Sequence, residues 1–184
     1  MIGAYSLAVQ SILEFPHKIL RRKARKVRKI DRAINVLADD LADTLIDSGG
    51  VGLAANQIGS LHRLIAINLP EEDDVRIYIN PEIIHREGER EVEEGCLSVP
   101  GYKGIITRSI WVKVRGLERN SDVFRLRAEG LLAQIFEHEI DHLNGILYFD
   151  HLKEHEVLIK DDPHIQPEAN SDSVDHEISL ESNE

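Results

Sequence analysis

The chain of 184 residues contains a single cysteine, Cys96, which excludes an internal disulfide framework. Its stability has to come from packing or from a bound group. No apolar run is long enough to span a bilayer. The opening "MIGAYSLAVQSILEF" is apolar but has no basic head, and a basic stretch follows it, so it reads poorly as a secretory signal. These absences predict a cytoplasmic protein with no membrane partner. Positive charge is also in short supply: 22 Lys and Arg stand against 33 Asp and Glu, a net charge of -11. A phosphate-binding face would meet general repulsion, which argues against DNA or other nucleic acid as the main partner. What remains, 42% hydrophobic residues in a chain of this length, is enough for one domain with a real core.

The negative charge is unevenly placed. Residues 154–184 carry ten acids against the single Lys160, so the rest of the chain is close to neutral. Residues 161–184 have too few apolar side chains to offset the entropy of ordering and read as an acidic, disordered tail. The opposite charge collects in "HKILRRKARKVRK" at residues 17–29, a candidate surface for transient contact with ribosomal RNA. Ile19, Leu20, Ala24 and Val27 are spaced as anchors and no aromatic is interleaved for base stacking, so a solvated segment pinned to the core is the preferred reading.

Asp31 is a plausible N-cap, and Ile34, Leu37, Leu41 and Leu45 recur near helical spacing until Gly49 and Gly50 interrupt it. Short β-rich runs follow at 63–69, 75–79, 110–117 and 123–128, the last two spaced as a hairpin. A second helix is expected from near Glu129 to Asn144 and Gly145. The mixed order predicts an α+β fold, with short mixed or antiparallel sheets around the second helix.

That helix carries "HEIDH" at 138–142. Residues four apart share a helix face, so His138 and His142 can offer two imidazoles to one ion with Glu139 beside them, as in hydrolytic metal sites. Going back along the face reaches Ile135, Gln134 and Leu131, a mostly apolar wall that suits either core or the side of a pocket. A catalytic ion needs a third protein ligand. The extended metzincin pattern would need histidine at position 148, which is Tyr148. Upstream, "EGCLSVPG" sets Cys96 between glycine-containing turns, where a metal could draw out its thiolate. Gln57 ends the small-residue stretch "GVGLAANQ" at 50–57, which by itself reads as helix-stop chemistry before a short strand edge.

In this order and in a chain of this size, "GVGLAANQ", "EGCLS" and "HEIDH" resemble the three signature motifs of the peptide deformylase family. The resemblance extends more thinly over residues 7–155, including the opening "FPHKILRRKARKV", and leaves out the acidic tail. It implies a catalytic domain at 1–160. Its metal would be Fe(II), held by Cys96, His138 and His142 and replaceable by Zn(II), Ni(II) or Co(II). The implied reaction removes the N-formyl group from the initiator formyl-methionine of nascent polypeptides and releases formate. Glu139 would be the acid and base, and the Gln57 amide and Leu97 N–H would be the donors to the developing oxyanion. The methionine pocket would comprise Val51, Gly52, Val92, Gly95, Leu131, Gln134 and Ile135. Asp141 and Glu94 are expected to support the site through hydrogen bonds. The "SVPGY" sequence resembles a branch shared by many bacteria and organelles, and the lack of a transit peptide favours bacteria.

Three positions depart from the family pattern. Gln134 replaces a hydrophobe in the pocket. Glu137 replaces a glutamine, and a carboxylate there is expected to raise the pKa of Glu139 or of the bound water. Lys103 stands where arginine is common and loses the planar fork. Two imidazoles and a thiolate would suit zinc as well as iron, while a blue-copper site lacks its axial methionine. Two other readings stay open from sequence. One is a zinc peptidase with a downstream third ligand such as Glu168, and the other a non-catalytic, ribosome-associated metal protein that uses its basic segment.

Overall fold

A computed structural model describes residues 9–70, 72, 74–152 and 158–160; the acidic tail at 161–184 lies outside the described residues. Helix α1 (Arg32–Ser48) begins where expected, with the Asp31 carboxylate accepting from the Ile34 N–H at 3.1 Å. It ends at Gly49, which takes the left-handed conformation. Its apolar stripe, Ile34, Ala38, Leu41 and Leu45, is buried against Leu53, Leu64, Ala66 and Ile79.

Strands β1 (Gly52–Ala54), β2 (Leu64–Ile67), β3 (Arg76–Glu87), β6 (Trp111–Leu117) and β7 (Val123–Glu129) form one antiparallel sheet in the order β1-β2-β3-β6-β7. The β6–β7 hairpin expected from sequence is present, in register from Trp111↔Glu129 to Leu117↔Val123. β3 runs well past residue 79, and register shifts let it continue through Pro81.

The second sheet was missed by hydropathy. It contains β4 (Arg90–Gly95), β5 (Tyr102–Arg108) and β8 (Ile159–Lys160), in the order β4-β5-β8. The inward row of β4 is Val92 and Glu94, and that of β5 is Gly104, Ile106 and Arg108. A carboxylate and a guanidinium therefore occupy core-facing positions and satisfy each other, and a pattern search scores both as exposed.

Helix α2 (Gly130–Asn144) lies at the centre. Ala133, Ile135, Phe136, Ile140 and Leu143 pack with Ile65, Ile67, Tyr78, Val112 and Val114 of the large sheet. It stops at Gly145, whose φ is +80° and whose Cα lies so close to Arg21 that an added Cβ would sit 2.6 Å from the Arg21 carbonyl oxygen. The basic segment joins the helix there: the Ala24 N–H donates to the Leu143 carbonyl at 2.8 Å. Leu20, Ala24 and Val27 are buried while the charged residues around them are exposed, the anchored arrangement preferred from sequence.

Candidate metal centre

Helical spacing brings His138 and His142 together, with their Nε2 atoms 3.2 Å apart. Cys96 follows directly on the end of β4, in a turn closed by the Val99 N–H on the Cys96 carbonyl, and its Sγ lies 3.1 Å from His142 Nε2. One donor atom from each of the three residues falls within 4.8 Å of the others. For bonds of about 2.0–2.1 Å to nitrogen, tetrahedral geometry needs nitrogens roughly 3.4 Å apart, so the donor set fits one small divalent ion. No other donor is required: Glu168 lies outside the described residues, and Cys96 completes the set of three.

The surroundings set the donors' protonation. His138 Nδ1 donates to Glu94 Oε1. Burial lowers this imidazole, but its bonds to Cys96 and Glu94 outweigh that and raise it well above its usual range, and an ion bound at Nε2 would take the place of the proton there. Burial pushes the His142 imidazole well below its usual range and keeps it neutral. Its Nδ1 is buried without a hydrogen-bond partner. Burial alone would raise the Glu94 carboxyl, but hydrogen bonds from His138 and Arg108 outweigh it and hold the group at about 2. Arg108 binds Glu94 through Nε and Nη2, at 3.0 and 2.7 Å, and Asp141 through Nη1 at 2.6 Å. The Asp141 carboxyl is lowered because its bonds to His151 and Arg108 overcome the cost of burial. Asp141 makes the structural hydrogen bonds expected of it, to Arg108 and His151, while Glu94 bonds the ligand His138 directly.

Glu139 is 3% exposed, its Oε2 has no partner, and burial pushes its carboxyl up to about 7. Gly52 leaves the space for it, since a Cβ there would collide with the Glu139 carboxylate and with Ile135. Glu137 does not act on Glu139 as anticipated. It points to the other side of the helix, where it accepts from the Ser109 N–H at 2.8 Å, the Ser109 hydroxyl at 3.0 Å and Arg86 at 3.1 Å. Gln57 is fixed at both ends. Its Oε1 accepts from the Ala54 N–H at 2.8 Å, and its amide nitrogen donates to Ser98 Oγ at 3.1 Å with Cys96 Sγ at 3.8 Å.

A cavity of about 420 Å³ opens onto this centre. Val51, Leu97, Leu131 and Ile135 provide its apolar wall, Gly52, Gly95 and Gln134 complete the sides, and Gln57, Cys96, His138 and Glu139 line the chemical end. Val92 is not on the wall: it packs below the sheet with Val99, Ile106 and Tyr148. Gln134 turns its amide to the Glu93 carbonyl at 3.2 Å, and Lys103 pairs with the Glu93 carboxylate at 3.2 Å. Sequence reasoning did not single out Arg108, Ser98, Ser109 or His151. Of these only Ser98 stood within a recognised motif, as the last residue of "EGCLS".

Residues 9–157 match the family model described as polypeptide deformylase. The chain belongs to the peptide deformylase family. Among curated deformylases, that of Dehalococcoides mccartyi is 45% identical over 152 residues, covering 83% of this chain and 91% of the relative. That of Desulforudis audaxviator is 48% identical over 145 residues, covering 78% and 94%. The deformylase crystal structure from Legionella pneumophila superimposes with a TM-score of 0.77 at 42% identity, covering 80% of this chain and 88% of that one. A class I type b deformylase from Acinetobacter baumannii with Met-Ala-Ser bound gives 0.75 at 31% identity, covering 80% and 100%. These relatives are bacterial, and the activity is removal of the N-formyl group from nascent peptides. Cys96, His138 and His142 are the deformylase metal-binding group. No helix among the described residues is long and apolar enough to cross a membrane.

Proposed function

We propose that this deformylase holds Fe(II) on Cys96, His138 and His142, accepts Zn(II), Ni(II) or Co(II) in its place, and acts on chains that begin with formyl-methionine. The observation that carries this reading is the buried, unpartnered Glu139 oxygen beside two imidazoles and the Cys96 sulfur at the end of a cavity with an apolar wall. A bound divalent ion supplies positive charge that makes an adjacent water acidic near neutrality.

Glu139 takes a proton from the attacking water as its oxygen bonds to the formyl carbon. When the C–N bond breaks, Glu139 returns the proton to the departing amine, leaving formate and a free N-terminus. Gln57 and the backbone N–H of Leu97 donate to the formyl oxygen as its charge grows. Bonding of Gln57 Oε1 to Ala54 keeps the amide N–H₂ turned toward the Cys96 side, so no reorientation is needed during the reaction. Val51, Leu131 and Ile135 offer an unbranched thioether side chain the apolar surface it needs, and the Met-Ala-Ser found in the Acinetobacter structure is the product this pocket would release.

The test is formate release from formyl-Met-Ala-Ser by protein prepared without oxygen and loaded with Fe(II). We expect turnover in the parent and a loss of at least about 100-fold in Glu139→Ala. Equal rates in the two would overturn the role of Glu139, and an inactive but metal-loaded parent would overturn the formyl-methionine assignment.

A further inference from the structure

Five side chains form one hydrogen-bonded line from the protein surface to a metal ligand. At the inner end His138 Nδ1 donates to Glu94 Oε1. The same oxygen accepts from Arg108 Nη2 at 2.7 Å, and Arg108 Nη1 reaches Asp141 Oδ2 at 2.6 Å. That oxygen also accepts from His151 Nε2 at 2.7 Å. The side chains of His138, Glu94, Arg108 and Asp141 are only 4–12% exposed, while that of His151 is 35% exposed. The five members come from four elements: His138 and Asp141 from α2, Glu94 from β4, Arg108 from the end of β5, and His151 from the 3-10 turn Tyr148–His151.

We propose that His151 is a positioning residue for the ligand His138, acting through Asp141, Arg108 and Glu94. This rests on the reading of Cys96, His138 and His142 as the ligands. One guanidinium serves two buried carboxylates here. Its planar fork holds both only if neither carboxylate competes for more of it. The N–H of His151 is the second donor on Asp141 Oδ2. Removing it leaves that oxygen to Arg108, which is drawn toward Asp141 and loosens its bond to Glu94 Oε1. Glu94 is the group that orients the His138 ring, so a small shift of Arg108 reaches the metal as a rotated ligand. Loss of a direct partner of a metal-bound histidine typically costs about 10–100-fold in metal affinity or activity; His151 acts through three further side chains, and we expect roughly 3–10-fold. His151 does not line the cavity, so KM should stay constant while metal affinity and kcat fall.

The full-length protein is stripped with a chelator and loaded with Co(II), whose d–d and thiolate absorption bands report ligand geometry. Affinity is read by competition with a chromophoric chelator in the parent and in His151→Leu, His151→Asn and His151→Gln. Glutamine can place an amide N–H near the position of Nε2, whereas asparagine is polar but too short. We expect His151→Leu and His151→Asn to bind Co(II) about 3–10-fold more weakly with shifted d–d bands, and His151→Gln to recover affinity and spectrum together. The asparagine variant decides the matter if the leucine variant does not fold. Parent-like affinity and bands in both Leu and Asn variants would overturn the proposal. So would a glutamine variant as impaired as they are, because the donor would then not be what matters. A parent protein that takes up Co(II) without a thiolate band would overturn the ligand reading itself, and the role of His151 with it.

Discussion

Arg108 neutralises two largely buried carboxylates, Glu94 and Asp141. Its side chain and that of Glu94 are each 4% exposed. Replacement by leucine would strand Glu94 and Asp141, and breaking a buried pair of this kind costs about 3–5 kcal/mol. We expect Arg108→Leu to lower the urea midpoint accordingly, and a midpoint like the parent's would show that the pair contributes little. Glu94, bonded by both His138 and Arg108, also predicts an acid limb. The Glu94 carboxyl is held at about 2, below its ordinary 4.5. A depressed carboxyl contributes stability that is complete above about pH 4.5 and is lost as the pH falls toward 2, here on the order of 3 kcal/mol. Stability measured between pH 5 and 2 should therefore fall more steeply in the parent than in Arg108→Leu. Glu137 contrasts with it. Its partners are Ser109 and Arg86 on the far side of α2, so Glu137→Gln should weaken the fold by about 1–2 kcal/mol and leave kcat/KM on a formyl peptide within about 2-fold.

Among the elements, α2 and the end of β4 meet at the metal group, at its carboxylate support and where Gln134 donates to the Glu93 carbonyl. Gly52 on β1 faces Glu139, and an added Cβ would displace the carboxylate or Ile135. Gly52→Ala should fold, bind metal and lose most of its turnover, a combination read by Co(II) absorption beside a formate assay. Full activity in that variant would show that Glu139 has room to move. Because Cys96 is fixed to β4 and both histidines to α2, a bound ion crosslinks the small sheet to the central helix. It stabilises the native state by mass action. Chelation should lower the melting temperature, and an unchanged melt on metal removal would mean that the protein contacts already hold the site closed. At this scale the helices and the β6–β7 hairpin were legible, because their caps and spacing are local. β4 and β5 were not, since their buried positions are occupied by Glu94 and Arg108, and only the partner strand makes those residues compatible with burial.

Across the molecule, charge is divided between an exposed basic strip at 17–29 and acids that gather near the C-terminal end. The family match spans residues 9–157 and ends before the acidic segment. We propose that residues 1–160 form the catalytic domain and that removal of 161–184 leaves kcat/KM on a short formyl peptide unchanged; a large loss would make the tail part of the working fold. The three motifs are separated by about 40 residues of chain each; local spacing alone nominated His138, His142 and Glu139, whereas Cys96 became the third ligand and Gln57 an oxyanion donor only through the resemblance of all three motifs to the family. Helical spacing alone puts the two histidines on one face. Tertiary structure decided what those stretches see. It brought Cys96 to 3.1 Å from His142, turned Glu137 away from the site, withdrew Val92 from the cavity wall, and linked Glu94, Arg108, Asp141 and His151 across four elements. None of that is periodic or local: a hydrogen bond between residues far apart in sequence depends on where two backbones cross, and that is set by the packing of the whole core.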